Sequence, residues 1–181
     1  ELVRDRKKQI DLPRGFSYQV ISEVGDPMDD GLVVPGSPDG MGAFVGPDGL
    51  TVLVRNHELN PDVSVGPFGK KNRLFGNIDS TSVYDDGEQR TPGLGGTTTV
   101  VYDTNRQKMV RQFMSLAGTY RNCAGGPTPW GTWLTCEETV QGIGRGDDGG
   151  KFVAARDHGW VFEVPPTVEP GLADPKPIRA M

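Results

Sequence analysis

The chain has 181 residues and a formal net charge of −5, with 26 glycines, 15 prolines and an apolar fraction of 35%. Its one cluster of basic residues covers positions 4–8, so the charge pattern argues against a nucleic-acid partner. No apolar run approaches the roughly 20 residues that a membrane-spanning helix needs. Many turn residues and few apolar ones are typical of short strands joined by Gly/Pro-rich turns, so we predict an all-β fold.

The predicted elements follow one another along the chain as strands and loops, without convincing helical periodicity. Residues 1–15 are expected to be a polar N-terminal lead-in, and alternation of apolar and polar residues predicts a half-buried strand at 16–22. The stretch 59–95 is a long loop, which inside a compact domain indicates a functional or a mobile segment. The remaining predicted elements are three hairpins and two single strands: 41–45 with 50–56, 97–102 with 109–116, 123–138, 159–164, and a strand that begins at 177–181.

One arrangement occurs twice: a Gly/Pro turn, an apolar strand and a carboxylate at the end of that strand. It is found in GPDGLTVLVRNHE, which ends at Glu58, and in RNCAGGPTPWGTWLTCEE, which ends at Glu138. A sandwich or barrel explains the strands but not this repeat, so we predict a β-propeller with about three blades in residues 16–181. Three blades cannot close a ring, and the sequence starts at Glu1 without Met. We therefore expect a processed or trimmed chain that forms the N-terminal blades of a larger propeller.

The second of these stretches combines a cysteine with two carboxylates. Cys123 lies in a Gly-rich turn, and Glu137 and Glu138 stand where the next strand ends. Thiolate sulfur and carboxylate oxygen near strand ends indicate a metal site. If the strand continues through both glutamates, they point to opposite faces, so only one of them can bind a given metal ion. Cys123 and Cys136 flank the hairpin, and either a disulfide or two free thiols fits their spacing.

Two residues beside these candidates have competing interpretations. Arg121 either binds a phosphate in bidentate fashion or neutralises the surrounding carboxylates. His57, next to Glu58, is either a metal ligand or proton shuttle or, as more often happens, a supporting group with its own hydrogen bonds.

Other conspicuous residues have plain structural explanations. The acidic stretches 26–30 and 147–150 lack the EF-hand pattern and fit ordinary turn chemistry. Aromatic side chains of this size are expected in the core of blades and between blades, which is our prediction for Trp130, Trp133 and Trp160.

Five stretches of the sequence resemble the N-terminal part of the PhoX-type alkaline phosphatases. They cover most of the chain in order: LPRGFSYQVIS (12–22), DGMGAFVGPDGLTVLVRNHE (39–58), GGTTTVVYD (95–103), GTYRNCAGGPTPWGTWLTCEE (118–138) and DHGWVFEV (157–164). The resemblance implies a six-bladed propeller in an exported bacterial enzyme, periplasmic or extracellular. It also implies hydrolysis of phosphate monoesters with iron and calcium bound together at one end of the central channel.

The resemblance also assigns roles to particular residues. Glu58 and Cys123 would be metal ligands, and Glu137 and Glu138 would be the other candidates in this chain. With metals bound there, Arg121 would orient the phosphate. The family supplies further ligands from later blades, in motifs that this sequence does not contain, so the remaining blades are an expected partner besides the small phosphoester substrate.

Two other functions are compatible with such a propeller. A calcium-dependent lactonase or esterase would need one catalytic calcium ion and no thiolate. A non-catalytic propeller scaffold would bind calcium for stability alone. Iron content and inhibition by phosphate distinguish the phosphatase from both.

Overall fold

The computed structural model describes residues 1–60, 63, 65–89, 91–144 and 153–178, and within these the protein is all-β, as predicted. The strands are β1 (Leu2–Val3), β2 (Leu12–Pro13), β3 (Pro38–Val45), β4 (Leu50–His57), β5 (Gly95–Asp103), β6 (Lys108–Thr119), β7 (Asn122–Pro127), β8 (Trp133–Glu137) and β9 (Val161–Val164). The helical segments of this part of the chain are short 3₁₀ turns at Pro47–Gly49, Lys70–Asn72, Phe75–Asn77, Ser80–Ser82 and Gly87–Gln89. Across the same residues, none of the helices has the length and apolar character to cross a membrane.

β3 to β6 form a four-stranded antiparallel sheet in chain order. The two predicted hairpins in this region are confirmed, and their strands are longer than expected. The first hairpin turns at Pro47–Gly49, where Asp48 has a φ of +53°, a left-handed value that Asp tolerates better than most residues. The inner strand β5 is buried from residue 95 to residue 101 because both faces of the sheet are covered.

β7, β8 and β9 form a second, three-stranded antiparallel sheet. The predicted hairpin at 123–138 is therefore confirmed, and the strand predicted at 159–164 is present as β9. Ile178 makes one antiparallel bridge to Val161 at the far edge of this sheet. That bridge lies in the strand predicted at 177–181, of which residues 179–181 are outside the described residues. The acidic stretch 147–150 also lies outside them.

The two larger sheets pack against each other through an apolar core. Its buried members come from both sheets and from the long loop: Val52, Val54, Tyr84, Leu116, Trp133, Phe162 and Val164. Strands β3 and β7 approach each other closely. A Cβ atom at Gly40 would come within 2.7 Å of the Cys123 carbonyl oxygen. A Cβ atom at Gly42 would likewise come within 2.7 Å of the Trp133 ring. Glycine is thus required in β3 where the second sheet rests on it.

Asn56 joins the two sheets at this contact. Its side-chain nitrogen donates to the carbonyls of Cys123 and Ala124 at 2.9 and 3.0 Å, and its side-chain oxygen accepts from Trp133 Nε1 at 2.9 Å. A fully buried amide with these partners fixes the second sheet relative to the end of β4.

The long loop between β4 and β5 is part of the core. A second apolar cluster packs it, together with residues 28–34, against one face of the four-stranded sheet; its buried members are Met28, Leu32, Val34, Leu59, Phe68, Val83, Leu94, Met114 and Ala117. The polar composition of residues 59–95 concealed the loop's own members of this cluster, Leu59, Phe68, Val83 and Leu94.

The acidic stretch 26–30 has a structural task at the edge of the first sheet. The carboxylates of Asp29 and Asp30 accept from the backbone N–H groups of Gln112 and Met114 in β6 at 2.8 and 2.6 Å. The Asp29 N–H donates to the Gln112 carbonyl at 2.8 Å. The stretch therefore occupies the place of a further strand, in keeping with its interpretation as structural.

Two expectations are wrong. Residues 16–22 form no strand and are mostly exposed. An alternating pattern needs a partner strand and a surface to cover, and the described part of the chain provides neither for this segment; the nearest strands before it are the short pair β1 and β2 in the lead-in. Trp130 is 70% exposed and bonds to Glu163 at 2.6 Å, whereas Trp133 is in the core as predicted and Trp160 packs at its margin.

Candidate active site

Three of the predicted site residues meet where the two sheets join. Glu58 directly follows β4, Arg121 lies between β6 and β7, and Glu138 directly follows β8. Arg121 Nη2 donates to Glu58 Oε1 at 3.0 Å and lies 2.6 Å from Glu138 Oε2. The Arg121 side chain is 34% exposed, so a small anion can reach the guanidinium. We call these three residues the exposed cluster.

Backbone hydrogen bonds explain why the three residues converge. The N–H of Arg121 donates to the carbonyl of Leu59 at 3.2 Å, and the N–H of Glu138 donates to the carbonyl of Arg121 at 3.0 Å. The segments that follow β4 and β8 are therefore both hydrogen-bonded to the backbone of the same residue, Arg121. Glu58 and Glu138, the strand-end carboxylates of the repeated arrangement, thus lie at one place.

The backbone of Arg121 has an uncommon conformation. Its φ is +51°, in the left-handed region that costs roughly 1 kcal/mol or more for a residue with a Cβ atom. Such a conformation persists only where the surrounding structure holds it, and the hydrogen bonds to Leu59 and Glu138 do so here. The strained turn directs a cationic side chain to the junction of the two sheets.

Cys123 lies two residues further on, as the second residue of β7, and is partly buried. Both cysteines are free thiols, which agrees with one of the two alternatives left open by the sequence. Burial, and to a smaller extent the nearby Cys123, raise the pKa of the Cys136 thiol. Among the residues with a described position, no group of three or more His, Cys, Asp or Glu side chains is arranged to hold a metal ion.

Glu137 has surroundings quite unlike those of Glu138. Its side chain is fully buried, and each carboxylate oxygen accepts two hydrogen bonds. Oε1 accepts from the Tyr120 N–H at 2.8 Å and lies 2.7 Å from His158 Nδ1, and Oε2 accepts from the N–H groups of Gly159 and Trp160 at 2.6 and 3.0 Å. The prediction that the two glutamates face opposite sides of the strand agrees with this arrangement. Only Glu138 is directed to the exposed cluster.

His158 and Asp85 complete a second group of charges, which we call the buried cluster together with Glu137. His158 Nε2 lies 3.1 Å from Asp85 Oδ2, and the side chains of all three residues are fully buried. Burial alone would lower the pKa of His158, but its hydrogen bonds to Asp85 and Glu137 raise that pKa to about 9. Burial also opposes the charge on Asp85, yet its hydrogen bond to His158 leaves the pKa of this carboxyl lowered. The cluster is thus an imidazolium between two carboxylates.

His57 is the supporting group that its sequence position suggested. Its ring nitrogens lie 2.8 Å from the Gly36 carbonyl and 2.8 Å from Thr98 Oγ1. Burial, aided by the charge of Arg55, lowers the pKa of His57 to about 3. The ring is therefore neutral and already has a partner at each nitrogen.

Sequence reasoning missed Asp85 and His158. His158 belongs to the DHGWVFEV stretch, and Asp85 stands in the long loop beside another aspartate. A signal was available in each case, namely a histidine just before a strand and an acidic residue in a loop too long to be a simple connection. Nothing in either local sequence shows that the two residues, 73 positions apart, meet.

Comparison with protein families adds to this picture. The family described as alkaline phosphatase PhoX matches residues 1–181. The chain belongs to the PhoX alkaline phosphatase family. A comparison with curated proteins finds no significant match.

Among solved structures, the chain is similar to Pseudomonas fluorescens PhoX in complex with vanadate, a transition state analogue, with 19% sequence identity and a TM-score of 0.50. The match covers 86% of this chain and 40% of that one, so the chain spans less than half the length of its solved PhoX relative. The likeness confirms the predicted propeller fold. The number of about three blades and the bounds 1–15 and 16–181 stay predictions.

Proposed function

We propose that this PhoX-family protein hydrolyses phosphate monoesters, with iron and calcium as its metals. The observation that carries the proposal is the position of Arg121: a partly exposed guanidinium, on a strained backbone, held between two carboxylates at the junction of two sheets. Guanidinium groups bind phosphate oxygens in bidentate fashion. A fixed cation of this kind can stabilise the charge that develops on a transferring phosphoryl group.

The donor types at this junction fit the proposed metals. Glu58 and Glu138 are hard oxygen donors suited to calcium, and Cys123 is a sulfur donor suited to iron. When bound, the metal ions would supply the further positive charge that phosphate hydrolysis requires. Glu58, Cys123 and Glu138 would hold them, and the rest of the ligands would come from other parts of the protein.

The same residues would also direct Arg121. Both carboxylate contacts use its Nη2 atom, whereas a guanidinium has five N–H donors. Glu58 and Glu138 would therefore fix the plane of the group while it binds the phosphate oxygens. Glu137, with its four hydrogen bonds to the interior, would support the site without touching the metals.

Metal analysis of matched cysteine variants tests the ligand set. Protein purified without chelators should contain iron and calcium, and Cys123→Ser should lower iron content and activity together because a hydroxyl is a poorer ligand than a thiolate. Cys136→Ser, which changes the neighbouring thiol of the same hairpin, should leave both unchanged. Calcium without iron in the unaltered protein, or a Cys123→Ser variant with full iron content, would contradict the assignment.

Arginine variants test the phosphate contact. Arg121→Ala should lower kcat/KM for a chromogenic phosphate monoester about 10- to 100-fold, since a hydrogen bond to a charged group is worth about 1.5–3 kcal/mol. The control is Arg106→Ala, which removes an arginine from a surface ion pair with Asp103 and should change kcat/KM less than about twofold. Equal kcat/KM values for the two variants would contradict the proposed role of Arg121.

We further propose that the protein acts outside the cytoplasm, in the periplasm or the extracellular space. The support is the character of the family to which the chain belongs. Fractionation of the producing cells should place the protein with periplasmic or secreted markers, and recovery with cytoplasmic markers would contradict the proposal.

A further inference from the structure

The buried cluster is connected to the exposed cluster through the backbone of Tyr120. Glu137 Oε1 accepts the N–H of Tyr120 at 2.8 Å, and Tyr120 immediately precedes Arg121. The strained residue is therefore held on both sides, by Glu137 at the preceding residue and by Leu59 and Glu138 at its own N–H and carbonyl.

Glu137 in turn depends on His158 for its position. The Nδ1 atom of His158 is 2.7 Å from Glu137 Oε1, the same oxygen that accepts the Tyr120 N–H. Asp85 fixes the other side of the ring, and its carboxylate also accepts from the N–H groups of Gly87, Ala155 and Arg156 at 2.9, 3.0 and 3.3 Å. The ring thus lies between two carboxylates that are themselves attached to several backbone segments, so its orientation is well defined.

We propose that His158 is a positioning residue for phosphate binding: through Glu137 it fixes the Tyr120 amide, directly before the left-handed residue Arg121, and hence the direction of the guanidinium. This inference deepens the proposed function and rests on it. The geometry gives Asp85 the task of holding His158. A role in folding alone would need no connection to the one strained residue of the exposed cluster.

Two conservative variants separate the two contacts of the ring. The amide nitrogen of Asn is placed near the position of His Nδ1, and that of Gln near the position of His Nε2. His158→Asn therefore keeps a donor toward Glu137, whereas His158→Gln keeps one toward Asp85. Val164→Ala is the control for lost stability, because Val164 is buried in the same sheet and pairs with Trp133 at the opposite end of β8 from Glu137.

The experiment measures amide hydrogen exchange at Tyr120 and Arg121 and the inhibition constant of inorganic phosphate in the active protein. In His158→Gln, we expect exchange at Tyr120 to become about tenfold faster and phosphate inhibition to become about tenfold weaker. In His158→Asn, both changes should stay under about threefold, and Val164→Ala should match the unaltered protein in both measurements. Asp85→Asn, which preserves the shape of the side chain, replaces His158→Gln if that variant does not fold and should weaken phosphate inhibition in the same direction.

The outcomes separate the inference from the proposed function. If the unaltered protein does not hydrolyse phosphate monoesters, the proposed function fails, and the exchange of the Tyr120 amide still decides whether His158 positions this segment. If phosphate inhibits His158→Gln as strongly as the unaltered protein, or if Val164→Ala shows the same changes as His158→Gln, the inference is overturned.

Discussion

The exposed cluster and the buried cluster have the same arrangement of charges and opposite surroundings. Each consists of a cation between two carboxylates, Arg121 between Glu58 and Glu138 and His158 between Asp85 and Glu137. The first is reached by solvent, whereas the second has no exposed side-chain surface. Burial makes a charge expensive to leave without its partner, and exposure lets it exchange one partner for another. The buried cluster is therefore suited to holding structure, and the exposed cluster to binding a ligand.

Adjacent glutamates give the sharpest test of this contrast. Glu137→Gln should lower the free energy of unfolding by about 3–5 kcal/mol, because it removes one charge from a buried pair and leaves the imidazolium poorly compensated. Glu138→Gln should lower it by less than about 1 kcal/mol, because its ion pair is half exposed. Urea unfolding of the two variants measures the difference. Equal losses of the free energy of unfolding in the two variants would mean that burial does not give the two clusters different roles in stability.

The pH dependence of stability should report the buried cluster. Because the pKa of His158 is raised from 6.5 to about 9 in the folded protein, its contribution is fully present below pH 6.5 and is lost as the pH rises through 9. The size of the loss is about 3 kcal/mol at most. Unfolding measured between pH 6 and pH 9.5 should show this decline in the unaltered protein and a flatter profile in His158→Asn. If the unaltered protein and His158→Asn show the same decline in stability, titratable groups other than His158 cause it.

The smallest expected effect on stability concerns the exposed cluster. Arg121→Lys keeps the charge but loses the planar fork of donors, so the free energy of unfolding should change by less than about 1 kcal/mol. Inhibition by phosphate should still weaken about three- to tenfold, because bidentate binding is lost. Chemical unfolding and inhibition kinetics on one preparation give both values. A large loss of stability would show that Arg121 is as structural as His158.

The features that could be predicted from the sequence are those with a local signal. Period-two alternation and Gly/Pro turns predicted the hairpins around Pro47–Gly49 and at 123–138. The recurring carboxylate at a strand end singled out Glu58 and Glu138, which lie together in the structure. The alternation at 16–22 gave a wrong prediction, because none of the described strands lies beside that segment.

The buried cluster could not be predicted in this way. Its members come from the long loop, the end of β8 and the residue three positions before β9, and they meet only once the two sheets have packed. The sequence predicted that the side chains of Glu137 and Glu138 point to opposite faces of the strand. Which of the two is buried depends on contacts with Tyr120 and His158, which the sequence does not show. Contacts between distant segments have no periodicity to reveal them.

The hydrogen bonds of the Asp29 and Asp30 carboxylates lower the tendency of the molecule to associate with other copies of itself. The outer strand of a sheet normally offers a row of N–H groups that another chain can pair with, which is the first step of edge-to-edge aggregation. At Gln112 and Met114 these donors are already taken by side chains of the same molecule. Two aspartates that resemble a calcium loop in the sequence thus protect a sheet edge against self-association.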